Sequence, residues 1–193
     1  MYAARLMTAI LVAPLLVATC GRGTPASQSS AQAAAATAPT SQVLMQLRSD
    51  WQAQKDMMMK IAEAMPENKF GYKTTPPQRN YGEQIMHVAT INVDLLKVLG
   101  GRAPAPSFTA ESAKTKADIL KALGDSYDYG TALVNEQSEA TILEPVKDSP
   151  SWLGPASRAR IYWTLLAHTM DIYGQMAVYL RMNGIVPPAS RGV

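Results

Sequence analysis

Apolar side chains recur every three or four positions along four stretches of the chain, the spacing that lines one face of a helix. In the first, Leu44, Leu47, Trp51, Met58, Ile61 and Met65 share such a face, and Pro66 stops the run. Ser41 is placed to cap its start. In the second, Tyr81, Ile85, Val88, Leu95, Leu96 and Leu99 form the stripe, with Asn92 also facing inward. Asn80 and Glu83 stand ahead of it at capping-box spacing, and Gly100-Gly101 closes it. The third begins between Thr109 and Lys116 and carries Ile119, Leu123, Tyr127, Gly130, Leu133 and Val134 on one side. The fourth starts at Pro155, a residue tolerated in a first turn, and ends at Met182 or Asn183, before Gly184 and Pro187-Pro188. The segments between them, ENKFGYKTTPPQRN, RAPAPS and residues 139–154, hold the breaks, and none alternates like a strand. The pattern predicts an all-α fold, a four-helix bundle.

Ahead of these helices the pattern changes. MYAARLMTAILVAPLLVATC carries one Arg and then an apolar run from Leu6 to Ala18. That run is shorter than the roughly 20 residues a bilayer-spanning helix needs, and it has the proportions of an export signal. Residues 1–20 read as a signal peptide, residues 21–40 as a flexible Ala/Ser/Thr/Pro linker, and residues 41–190 as the folded domain. Val17-Ala18-Thr19-Cys20 resembles a bacterial lipobox, which makes Cys20 a candidate lipidation site. Cleavage at a small-residue site near Ala31-Gln32-Ala33 is the alternative. Both readings export the chain to the periplasm or cell envelope, with a lipid on Cys20 as the only membrane contact they imply; a retained N-terminal anchor is the third reading. Cys20 is the one cysteine in the sequence, so the domain holds neither a disulfide framework nor a thiol nucleophile.

Charge narrows the partners. The formal net charge is +3, but Arg5 and Arg22 fall in the acid-free first 40 residues. Removing those two from the 18 basic residues leaves 16 facing 15 acidic ones from Ser41 onward. Lys and Arg do not gather on one helical face, so no nucleic-acid partner is expected.

The chemistry lies in two histidines, each in the middle of a helix. With His168 set at zero and 100° per residue, Ile161, Ile172, Gln175 and Tyr179 fall within about 40° of it, and Asp171 about 60° to one side. His87 sits at the edge of an apolar arc beside Ile91 and Val98. Two readings stand. In one, the rings are core residues partnered by Asn92, Gln175 or a tyrosine. In the other, they share a metal ion, since imidazole suits Zn, Ni or Fe, with Asp171 as the nearest third donor. A catalytic zinc site normally has three protein ligands. Asn92, Gln175 and Tyr179 are the candidate lining of a small-ligand pocket. No Ser-His-Asp or paired-carboxylate arrangement can be assigned from spacing. Tyr127, Tyr129 and Met57 to Met59 read as packing, and Asp125 with Asp128 as a solvated face.

The block HTMDIYGQMAVYLRMNGIVPPAS, from His168 to Ser190, resembles the last-helix signature of the DinB-like superfamily. PENKFGYKTTPPQRNYGEQIMHVA and TKADILKAL add to the resemblance, which extends over residues 41–190. It implies a DinB-like four-helix bundle, often dimeric. It also implies a metal, Zn or Ni, held by one His of helix two and an H-x-x-x-H pair of the last helix. His87 matches the first of these and His168 the second, while the third falls on Ile172, which cannot ligate a metal. Characterised members act with low-molecular-weight thiols, the metal activating a thiolate or a water. Reduced thiols of that kind belong to the cytosol, whereas this chain reads as exported. The expectation is therefore a degenerate metal site in a small-ligand-binding or structural module. The alternative is a divalent-metal-dependent hydrolase or thiol S-transferase-like enzyme. A second apolar face on helix four (Leu166, Met170, Tyr173, Ala177) suits a homodimer.

Overall fold

The computed structural model describes residues 38–109 and 112–192. The signal peptide, Cys20 and the linker up to residue 37 lie outside the described residues. Four helices follow: α1 (Ala38–Ala64), α2 (Tyr81–Lys97), α3 (Lys116–Asn135) and α4 (Arg158–Met182). Single 3-10 turns at Glu67–Lys69 and Pro188–Ser190 complete the described elements. The described residues contain no strand, only an isolated bridge between Pro145 and Ser157. The fold is all-α, as the periodicity predicts.

Every apolar residue assigned to the stripes of α1, α2 and α3 is buried, and so is Asn92. Neighbours around the bundle run in the order α1, α3, α2, α4, so helices joined directly as α1–α2 and α3–α4 face each other across the core. Long connections are what such a crossing requires. Aromatic packing ties the centre together. The Trp51 indole lies 5.0 Å from the Tyr127 ring and 5.2 Å from Tyr162, and its N–H donates to the Tyr127 carbonyl at 3.0 Å. Gly130 makes room for it, because a Cβ there would stand 2.3 Å from the indole.

The helix ends show why the boundaries fall where they do. Asn80 and Glu83 form the predicted capping box on α2, and Thr115 with Asp118 forms a second on α3. Lys116 Nζ donates to the carbonyls of Glu63 and Met65 at the end of α1, while Glu67 accepts from the Lys116 backbone N–H. Exposed carbonyls at one terminus and free N–H groups at the other are thus satisfied by the same neighbour.

Two expected boundaries move. α1 begins at Ala38 rather than at Ser41, taking in the end of the span read as linker. Pro39 then lies in the first turn, where its missing N–H removes no helical bond. α4 begins at Arg158 rather than at Pro155. The preceding loop is drawn alongside, with Val146 N–H donating to the Ala156 carbonyl. Carbonyls of Glu144 and Ile142 accept from Arg158 and Ala159, and Ser157 caps the helix through the Arg160 N–H. Those long-range partners, absent from the local sequence, set the start.

Candidate functional site

α2 and α4 pack as antiparallel neighbours, and their facing turns bring together a column of polar side chains. Gln84 donates to the Gln175 side-chain oxygen at 2.8 Å, and Gln175 donates to the Asp171 carboxylate at 3.0 Å. One turn further along, Nε2 of His87 and Nε2 of His168 stand 3.1 Å apart, with the rings nearly edge to face. Both rings are half-buried.

Burial holds His87 below the ordinary histidine pKa, with Arg79 and His168 adding to the effect. Burial is also the main cause of the lowered value at His168, where Asp171 pulls upward and Arg79 downward. At neutral pH each imidazole therefore carries a single proton, and one Nε2–H donates to the other Nε2. Nδ1 of His168 decides which. It is buried and has no hydrogen-bond partner among the described residues. An orphaned buried N–H is rarer than an under-used acceptor, so the bare lone pair belongs there. His168 then donates through Nε2, His87 accepts, and the His87 proton resides on its own Nδ1.

This arrangement fits a metal ion only in part. Two imidazole nitrogens on one zinc, bound at roughly 2.0–2.1 Å with a tetrahedral angle, stand about 3.3 Å apart, near the separation found here. The rest does not fit. Among the described residues no group of three His, Cys, Asp or Glu side chains is placed to hold a metal ion. Asp171 is exposed and accepts from Gln175. Ile172, where the sequence resemblance would put a third ligand, is an aliphatic residue only 3% exposed. Coordination through His168 Nε2 would also move its proton to Nδ1, which has no acceptor. Metal-bound histidines almost always donate that second N–H to a partner.

Of the other residues singled out from sequence, Asn92 is buried and donates to Ser126 Oγ on α3 at 3.2 Å. Tyr179 is buried and donates to the Arg79 carbonyl at 2.5 Å. Gln175 belongs to the polar column. None of the three borders the cavity that both histidines line. That cavity, of about 500 Å³, is walled by Ile91, Leu95, Pro150 and Trp152, with Thr164 and Asp94 also at its surface. Asn92, Gln175 and Tyr179 are instead engaged with Ser126, Gln84 and the Arg79 carbonyl on neighbouring elements. Sequence reasoning missed Gln84, although it lies one turn before His87 on the same face. Trp152 carried no signal, because a loop residue has no periodicity to place it.

A family model described as the DinB superfamily matches residues 26–176. That match opens inside the span read as linker. Among solved structures the chain is similar to a DinB-like protein from Bacillus cereus ATCC 10987, with 15% identity and a TM-score of 0.65. The likeness covers 74% of this chain and 93% of that one. It is also similar to a DinB-like protein from Bacillus subtilis, with 14% identity, coverage of 72% and 92%, and a TM-score of 0.56. No curated protein matches the chain.

Proposed function

The chain belongs to the DinB superfamily, and from that premise we propose that its domain is a small-ligand-binding or structural module whose metal site is degenerate. The observation that carries the proposal is the buried, partnerless Nδ1 of His168 beside a direct Nε2-to-Nε2 hydrogen bond. The two rings satisfy each other instead of a cation, and Ile172 supplies hydrocarbon where a third donor would sit. With no ligand set complete, no reaction is assigned to the pair.

Export through residues 1–20 and lipid attachment at Cys20 are part of the proposal and rest on the sequence. So does a homodimer through α4. In support of the dimer, Met170 is 49% exposed and Leu166 and Tyr173 are half-buried, although Ala177 is already covered.

A second reading, the divalent-metal-dependent hydrolase or thiol S-transferase, is favoured by the 3.1 Å separation of the two nitrogens. Metal analysis of protein purified without added metal separates the two, measured before and after reconstitution with Zn or Ni and dialysis. The module predicts a substoichiometric content both times. One ion retained per chain would favour the enzyme.

A further inference from the structure

The cavity beside the histidine pair has a defined chemical inventory. Four of its lining side chains, Ile91, Leu95, Pro150 and Trp152, are apolar, and its volume of about 500 Å³ lies in the range of small-molecule pockets. Trp152 is 68% exposed, which leaves a large indole face uncovered at the rim. A flat ligand laid against it would remove that face from water.

The polar groups are few, and their roles differ. Thr164 already donates its hydroxyl proton to the Arg160 carbonyl at 2.8 Å, so it faces the cavity as an acceptor. Asp94 is an acceptor too, with Lys97 3.7 Å away to offset its charge. With its Nδ1 bare, the His168 N–H is on Nε2 and is committed to His87. What remains is the Nδ1–H of His87, the one donor of the histidine pair not already used. Among the described residues no Lys or Arg lines the cavity, and the carboxylate of Asp94 disfavours an anion.

We propose that this cavity binds an uncharged, flat organic molecule that lies against Trp152 and accepts a hydrogen bond from His87. The assignment rests on the reading that the histidine pair is free of metal, since a metal would redirect both rings.

Isothermal titration of the purified protein with coumarin, a flat uncharged lactone with a carbonyl acceptor, tests it. Naphthalene, which has the same flat shape and no acceptor, is the comparison. Coumarin is expected to bind several-fold more tightly than naphthalene. Trp152→Ala is expected to weaken both by about tenfold. His87→Leu, confirmed as folded by its thermal transition, is expected to abolish the preference for coumarin while naphthalene still binds. Absence of coumarin binding, an affinity unmoved by Trp152→Ala, or a preference that survives His87→Leu would each overturn the proposal. Metal content is measured on the same sample. Failure in metal-free protein rejects the ligand class alone, whereas failure with metal bound rejects the metal-free premise as well.

Discussion

Nε2 of His168 meets Nε2 of His87 at 3.1 Å, joining two helices through residues 81 positions apart. Both rings are held neutral chiefly by burial, below the usual value of 6.5. The unfolded chain therefore takes up protons near pH 6.5 that the folded chain refuses. By linkage, the contribution of the neutral pair is complete above that value and is lost as pH falls through it toward the lowered folded values. Thermal unfolding followed between pH 7.5 and 5, a span chosen to bracket about 6.5, should show a falling midpoint. The double variant His87→Leu/His168→Leu should show a shallower fall. Parallel curves for the two proteins would contradict this account.

Ile172→His places an imidazole one turn from His168, on the helical face from which the third family ligand projects. Zinc affinity is expected to rise by at least about tenfold, and zinc at about 100 times its Kd should then stabilise the variant by about 2.7 kcal/mol. Without metal the same variant should be less stable than the parent, because a buried aliphatic side chain has become polar. Calorimetric unfolding with and without zinc reads both effects. Equal zinc binding by parent and variant would remove the case for a degenerate site.

Gly130 and Trp51 supply a test of packing. A Cβ at residue 130 would lie 2.3 Å from an indole that is 1% exposed and has no room to yield. Overpacking costs on the order of 1–3 kcal/mol, more than the roughly 1 kcal/mol that alanine gains over glycine in a helix. Gly130→Ala should therefore lower stability in urea unfolding. At Gly124 and Gly174, also helical, no atom of the described residues lies within 4 Å of the added carbon. Gly124→Ala and Gly174→Ala should instead stabilise by about 0.5–1 kcal/mol.

Asn80 caps α2 from the loop that also holds the Arg79 carbonyl against Tyr179. Asn80→Ala is expected to lower stability by about 1 kcal/mol. It should speed amide exchange in the first turn of α2 before the turn that carries His87. Unchanged exchange there would mean that the loop carbonyls of Phe70 and Tyr72, which accept from Gly82 and Tyr81, hold the turn without the cap.

How much of this could be read in advance differs from feature to feature. The stripes of α1 to α3, the Asn80 cap and the stop at Gly184 depend on residues within one or two turns of each other. Local periodicity and capping chemistry therefore disclosed them, and the all-α bundle with them. The start of α4 falls later than the local pattern predicts because Glu144 and Ile142, well upstream, satisfy its first N–H groups. The same distinction runs through the site. His87, His168 and Ile172 were identifiable one by one from their positions on helices.

That the two rings share one hydrogen bond, that Gln84 reaches across to Gln175, and that Trp152 lines the cavity were decided only by tertiary structure. Each joins groups on separate elements, or on a loop with no repeat of its own. A helix determines which way its side chains point. What they meet depends on which neighbour the bundle sets beside them.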